Sequence, residues 1–208
     1  MAAIDLVERA IDAIRRGATV LLPTDTVYGL CAAPSDEGID RAYTVKGRVE
    51  AQPTALLASD VDRLLELVPE LHGEPARIMR TLLPGPYTLV LPNPARRYAQ
   101  LTGTRPDTIG VRVAPLPVAS RLVLDAVGCV LATSANAPGD RAPATLAEVP
   151  DWIRSACEAE IDAGRLPGVA STVLDFTGPE PVVLREGTVP GDEAIALTRA
   201  TQSPSTPR

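Results

Sequence analysis

A chain of 208 residues with 45% hydrophobic side chains can bury one sizeable α/β core, and no run approaches the roughly 20 apolar residues of a membrane span. A net charge of −6 and 3% aromatic residues argue against a surface devoted to nucleic acid, while leaving room for a local basic pocket. Cys31, Cys129 and Cys157 are widely spaced with no CxxC pair, which excludes a zinc-site or disulfide pattern and reads as three reduced thiols.

In chain order, Ile4, Val7, Ile11 and Ile14 recur at helical spacing, and Gly17 supplies a stop. This opening segment is acidic and amphipathic. It lacks the basic start and apolar centre of a signal peptide, so a soluble cytoplasmic protein is expected. ATVLL reads as a buried strand, and PTDTVYGL (residues 23–30) as a polar loop leaving it. Asp36 is placed to cap a helix running to Lys46. TALLA is a short strand, Asp60 caps a helix carrying Leu64, Leu65 and Val68, and another helix covers Ala76 to Leu83. YTLVL and IGVRV read as strands, Val118 to Val127 as a helix and CVLAT as a strand. Thr145 and Glu148 have capping-box spacing, and STVLDF and PVVLRE are the last strands. Strands and helices interleave without repeat or linker, which predicts an α/β fold with a mixed, twisted sheet. The polar tail TQSPSTPR reads as disordered.

Several chemistries have no residues to carry them. His72, the single histidine, sits in ELHGEP and reads as a solvated loop residue rather than a base. HExxH, GxxxxGK[ST] and GxGxxG do not occur, so a nucleotide site here must be something other than a P-loop or Rossmann turn. What remains is a set of polar groups at the ends of elements: Thr24, Asp25, Thr26 and Tyr28; Lys46 and Arg48 in KGR; Arg112 in GVRV; Ser134 and Asn136 in TSAN; Ser171 and Thr172; and Arg185. Strand ends of an α/β sheet are where crevices form, and four cations with several hydroxyls there would suit a polyanion. Lys46 is the one lysine among 20 basic residues, which marks a place where a compact ammonium serves and a guanidinium does not. Each group also has a plainer role: Lys46 as a surface lysine, Arg112 on an edge strand, Ser134 and Asn136 as turn formers.

Taken together, PTDTVYGL, KGR, LLPGPYTLVL, GVRV, TSAN, GVASTV and LREG resemble, in order and spacing, the YrdC-like family, best known for its threonylcarbamoyl-adenylate synthases. The resemblance runs from Ala18 to Gly187. It implies a twisted mixed α/β sheet with flanking helices and a large concave cationic cavity (a DHBP-synthase-like fold). Residues 1–190 would be the catalytic domain and 191–208 a C-terminal extension. It further implies formation of threonylcarbamoyl-AMP and pyrophosphate from L-threonine, bicarbonate and ATP. Mg²⁺ would ride on the phosphates with no direct protein ligand. A downstream threonylcarbamoyl-transferase complex would then act on tRNA to give the t6A nucleoside. By position, the resemblance assigns Thr26, Arg112, the backbone of Ala132 and Ser171 to L-threonine. It assigns Lys46, Arg48, Gln52, Thr108, Ser134, Asn136 and Arg185 to ATP, with Lys46 and Arg48 catalytic. Thr24, Asp25 and Tyr28 are left to shape the loop or close the cavity. A carbamate is already anionic, so such chemistry asks for alignment, water exclusion and cations rather than a strong base.

The sequence departs from the family pattern at Val49, Leu57, Ala142 and Glu186, the last placing an acid beside Arg185. Two other readings stay open. One is carbamoyl-adenylate chemistry fed by carbamoyl phosphate, which in this family belongs to longer chains. The other is an RNA-binding module, against which the acidic charge counts; direct tRNA contact is undecided.

Overall fold

The computed structural model describes residues 3–47 and 52–201. In chain order the elements are α1 (Ala3–Arg15), β1 (Val20–Pro23), β2 (Tyr28–Ala32), α2 (Asp36–Lys46), β3 (Ala55–Ala58), α3 (Val61–Leu67), α4 (Glu74–Leu82), β4 (Tyr87–Pro92), β5 (Thr108–Arg112), α5 (Val118–Val127), β6 (Cys129–Ser134), α6 (Asp151–Ser155), β7 (Ala159–Glu160), β8 (Thr172–Asp175), β9 (Val182–Arg185) and α7 (Gly191–Ala200). The strands form one nine-stranded mixed sheet in the order β7-β1-β2-β6-β3-β5-β4-β8-β9. The β7/β1, β3/β5 and β4/β8 pairs are parallel and the rest antiparallel.

The two-residue period of the strands decides what each face does. Tyr87, Leu89 and Leu91 of β4, Ile109 and Val111 of β5, and Cys129 and Leu131 of β6 point to one side. There they join Ile39, Leu64 and Met79 from α2, α3 and α4 in the larger core. The opposite face is divided. Leu57 and Val130 are covered by Val7 and Ile14 of α1 and Val123 and Leu124 of α5. The remaining residues of that face, Thr88, Val90, Thr108, Gly110 and Arg112 among them, line a cavity to which no helix contributes a wall residue among those described. A third cluster, built on Leu21, Tyr28, Leu30, Val149 and Ile153, lies under α6.

PTDTVYGL is not a loop throughout. Pro23 pairs with Tyr28, so residues 24–27 are the turn of a β1–β2 hairpin and Tyr28, Gly29 and Leu30 are strand. The polar look of the stretch hid this, although Tyr28 and Leu30 supply side chains to the third cluster. The cap of α2 is Ser35, whose Oγ accepts from Gly38 N at 3.3 Å, and Asp36 is the first helical residue. Asp60 does cap α3, accepting from Arg63 N at 2.7 Å. Thr145 begins a single 3₁₀ turn rather than a longer helix, and Glu148 Oε2 accepts from Ala144 N at 2.8 Å. The strands β2 and β7 and the helices α6 and α7 are additions to the elements expected from sequence. Helix α7 packs Ala194 into the larger core.

All three cysteines are free, Cys31 and Cys129 buried and Cys157 partly so; burial pushes the Cys31 and Cys129 thiols up to about 12, which keeps them protonated. No helix of the described residues is long and apolar enough to cross a membrane. The tail read as disordered lies, after Thr201, outside the described residues.

Candidate active site

The cavity has a volume of about 390 Å³ and rests on the sheet itself. Its floor follows from strand register. Val90 pairs with Gly110, Ala55 pairs with Ala132, and the Leu56–Val111 pairing brings Ala55 beside Gly110. One row of residues therefore crosses β4, β5, β3 and β6 with no side chain larger than a methyl at three of its four positions. A Cβ on Gly110 would stand 3.5 Å from Ala55 Cβ, so the surface there is flat and a ligand can lie against it.

The next row is cationic. Val173 pairs with both Thr88 and Arg185, and Thr88 neighbours Arg112 across β4 and β5. The two arginines thus flank Thr88 and Val173 and reach over them. Arg112 stands on an interior strand, not at a sheet edge as its plainer reading had it. Its Nη2 donates to Asp25 Oδ1 at 2.8 Å, with only 10% and 5% of the two side chains exposed. Arg112 Nε and Asp25 Oδ2 are both buried without a partner among the described residues. Arg185 has a different environment. Its Nη2 and Nε donate to the carbonyl of Ser171 at 2.8 and 3.2 Å, and its Nη2 lies 3.4 Å from Ser171 Oγ. Loss of hydration at the cavity wall and then the neighbouring Arg112 charge pull its pKa down, although the residue as a whole is exposed. Ser171 Oγ is in turn 2.8 Å from Thr88 Oγ1.

The hairpin turn closes one side. Thr24 Oγ1 accepts from Thr26 N and Val27 N at 3.2 Å and donates to Val27 O at 2.7 Å, so this hydroxyl is spent on the turn itself. Thr26 is left as a wall residue of the cavity, and its carbonyl accepts from Gly168 N at 2.9 Å. Tyr28 fastens the same segment: its hydroxyl lies 2.7 Å from Asp162 Oδ1 and 2.8 Å from Gly164 O, and accepts from Ala163 N at 3.0 Å. Burial and the Asp162 bond push the phenol up to about 12, so it stays neutral.

At the far corner, the left-handed Gly47 (φ 59°) stops α2 just after Lys46. Lys46 is buried; its Nζ donates to the Ser134 carbonyl and lies 3.4 Å from Asn136 Oδ1. Asn136 Nδ2 donates to the carbonyls of Ala137 and Asp140 at 2.7 and 2.9 Å, holding the TSAN turn.

Of the residues expected from sequence, Thr26, Thr108, Arg112, Ala132, Ser134, Ser171 and Arg185 all line this one cavity. Lys46 and Asn136 sit behind its rim, joined to it through Ser134. Gln52 is exposed, next to the wall residue Pro53. Arg48 and Val49 lie outside the described residues. Leu57 is buried in the core under α5, and neither it nor Ala142 is a wall residue. Glu186 turns away from Arg185's ligands, its Oε2 accepting from Gly191 N at 3.0 Å at the start of α7. His72 is exposed, its Nδ1 2.6 Å from Pro69 O.

Sequence reasoning missed Thr54, Thr88, Thr102, Thr104 and Arg105, all of them wall residues. Thr88 was legible: in YTLVL it breaks the apolar run at an alternate position, the mark of a strand with one polar face. Arg105 gave less signal. It is held by Asp175 Oδ2 and Thr177 Oγ1, each at 2.7 Å, partners 70 and 72 residues away. Among the described residues no group of three or more His, Cys, Asp or Glu is gathered as for a metal.

The Sua5/YciO/YrdC family model, described as telomere recombination, matches residues 12–187. A threonylcarbamoyl-AMP synthase of Pyrococcus abyssi is 35% identical over 182 residues, 86% of this chain and 53% of that protein. One of Halorhodospira halophila is 34% identical over 164 residues, 78% of this chain and 85% of that protein. The crystal structure of P. abyssi Sua5 complexed with L-threonine superposes with a TM-score of 0.79 at 31% identity, covering 95% of this chain and 58% of that one. The chain therefore spans about half the length of the Pyrococcus protein and most of the Halorhodospira one.

Proposed function

The chain belongs to the Sua5/YciO/YrdC family, and we propose that it is an L-threonylcarbamoyladenylate synthase, forming threonylcarbamoyl-AMP and pyrophosphate from L-threonine, bicarbonate and ATP. The observation that carries this reading is the pairing of two differently treated guanidinium groups over one flat-floored cavity. Arg112 is balanced by a carboxylate, and among the described residues Arg185 is held by neutral oxygens. The names of the relatives and the L-threonine bound to P. abyssi Sua5 support the same reading.

In this reading the threonine carboxylate meets the Arg112 fork, with Thr26, Ser171 and the Ala132 backbone around it. ATP runs toward Arg185, Thr108, Ser134 and the Lys46–Asn136 corner, with Arg48 and Gln52 beside it. The threonine ammonium releases a proton to solvent, the free amine attacks the bicarbonate carbon, one N–H proton leaves with the bicarbonate hydroxyl as water, and a carbamate forms. A carbamate oxygen then attacks the α-phosphorus while the bond to pyrophosphate breaks and its electrons leave with that group. The carbamate is anionic from the start, so no residue need act as a strong base. Lys46, Arg48 and Arg185 supply positive charge where phosphate charge develops. Bound substrates and the cavity walls together would keep water from the labile carbamate. Mg²⁺ belongs to the MgATP substrate. The carboxylates bonded to the cavity arginines, Asp25 and Asp175, are engaged by Arg112 and Arg105 and suit salt bridges better than metal ligation. Such a product would be passed to a threonylcarbamoyl-transferase complex acting on tRNA.

The test is incubation with ATP, Mg²⁺ and bicarbonate plus each amino acid in turn. Pyrophosphate and an alkali-labile adenylate formed only with L-threonine is the expected result. Turnover with carbamoyl phosphate in place of bicarbonate, or pyrophosphate release indifferent to the amino acid, would overturn the assignment. Salt-steep tRNA binding without any turnover would favour an RNA-binding module instead.

A further inference from the structure

Asp25 is a buried acid bonded to Arg112 of the cationic row, and the motif it sits in assigns it only to shaping the loop or closing the cavity. Its geometry says more. Nε and Nη2 share one edge of a guanidinium, and a carboxylate that takes this edge side-on makes two parallel bonds. Here the Nη2–Oδ1 bond is made at 2.8 Å, and the two atoms left buried without partners, Arg112 Nε and Asp25 Oδ2, are those the second bond of such a fork would join. Asp25 therefore occupies the inner edge of Arg112, which leaves the outer Nη1/Nη2 edge as the one a ligand can take. The charge count points the same way. Three guanidinium groups line the cavity: Asp25 cancels Arg112 and Asp175 cancels Arg105, while Arg185 is held, among the described residues, by the carbonyl and hydroxyl of Ser171.

We propose that Asp25 divides the work of the two arginines: by cancelling and orienting Arg112 it reserves that residue for the carboxylate of a net-neutral amino acid, and leaves Arg185 as the phosphate-facing cation. This rests on the synthase reading for the identity of the amino acid, though not for the charge argument. Without Asp25 both ends of the row would attract polyanions. A triphosphate could then lie with its charge over Arg112, where the amino acid belongs. An amino-acid zwitterion has no net charge, so it gains nothing from the added positive field and loses a correctly turned fork.

Titration calorimetry with L-threonine and, separately, inorganic phosphate tests this on wild type, Asp25→Asn and Asp25→Glu. Asp25→Asn should bind phosphate about tenfold more tightly and L-threonine about tenfold more weakly than wild type. Asp25→Glu keeps the charge but pushes the fork outward, so phosphate affinity should match wild type while L-threonine binds at least about threefold more weakly. Unchanged affinities for both ligands in a folded Asp25→Asn would overturn the proposal. If that variant does not fold, Asp25→Glu decides, and L-threonine affinity equal to wild type overturns it. If no form binds L-threonine, the synthase reading fails. The phosphate comparison then still judges Asp25: tighter binding by Asp25→Asn supports its charge role, and unchanged binding overturns it.

Discussion

Tyr28→Phe isolates what the tyrosine of the hairpin does, because it removes one oxygen and leaves the fully buried ring in place. That oxygen makes three contacts of 2.7, 2.8 and 3.0 Å to Asp162, Gly164 and Ala163. A hydrogen bond to a charged group contributes roughly 1.5–3 kcal/mol and a neutral one roughly 0.5–1.5 kcal/mol. Asp162 is exposed, so water competes for its carboxylate once the phenol is gone, and the sum is discounted to about 1–3 kcal/mol. For a domain of this size that is a fall in Tm of about 2–12 °C. The loss is local before it is global: the segment from Asp162 to Ser171 is tied to the turn by Tyr28 and by the Gly168–Thr26 bond. Amide exchange at Ala163 and Gly168 should accelerate, and the KM for L-threonine should rise more than kcat falls, since Thr26 and Ser171 both depend on this tie. Differential scanning calorimetry, exchange mass spectrometry and the pyrophosphate assay read the three effects. A Tm within about 1 °C of wild type together with unaltered exchange would refute the reasoning.

Lys46→Ala should lower threonine-dependent pyrophosphate release at least about 100-fold with a native circular dichroism spectrum, and near-normal turnover would remove Lys46 from the nucleotide role. Arg112→Ala should act chiefly on the KM for L-threonine, read from initial rates at saturating ATP; an unchanged KM would count against the carboxylate assignment. Glu186→Gln should cost about 0.3–1 kcal/mol in urea unfolding through the N-terminus of α7, while pyrophosphate release stays at the wild-type rate. Burial pushes the Asp175 carboxyl up, but its bonds from Thr177 and Arg105 outweigh this and hold it below the usual range. Its contribution is therefore full above the ordinary aspartate value of about 3.9 and is lost as pH falls through the lowered folded value. Asp175→Asn should flatten the stability profile below about pH 4 relative to wild type, as followed by thermal melts.

Much of this architecture is written in short-range pattern. Val118 to Val127 is helical from end to end as its spacing predicts, and Asp60 caps α3 through the bond that its position suggests. Elements that depend on distant partners were hidden. The strand β2 looked polar because its apolar members, Tyr28 and Leu30, fill a cluster completed by Val149 and Ile153. The strand β7 is two residues long and exists through its pairing with Val20 and Leu21. At the site, the family resemblance supplied the wall residues, and Thr24's self-contained turn explains why Thr26 rather than Thr24 faces the cavity. The partner of Arg112 could not be read in advance, since Asp25 lies 87 residues away and nothing local pairs them. Glu186, next to Arg185 in sequence, is instead engaged by the N–H of Gly191, a partner visible only in three dimensions.

The floor and walls of the cavity have a kinetic consequence. The bonds that shape it join residues 83, 87 and 88 positions apart, and β8 must pair in parallel with β4 from the other end of a long excursion. Contacts of such sequence separation form late, after the loop-closure entropy has been met. A chain with α1, the first hairpin and the α3–α4 region in place would still have no cavity. Ligand affinity is thus a property of the last-assembled state. Substrate at a hundred times its Kd should lift the whole unfolding transition by about 2.7 kcal/mol, and in refolding its binding signal should appear only with the final phase.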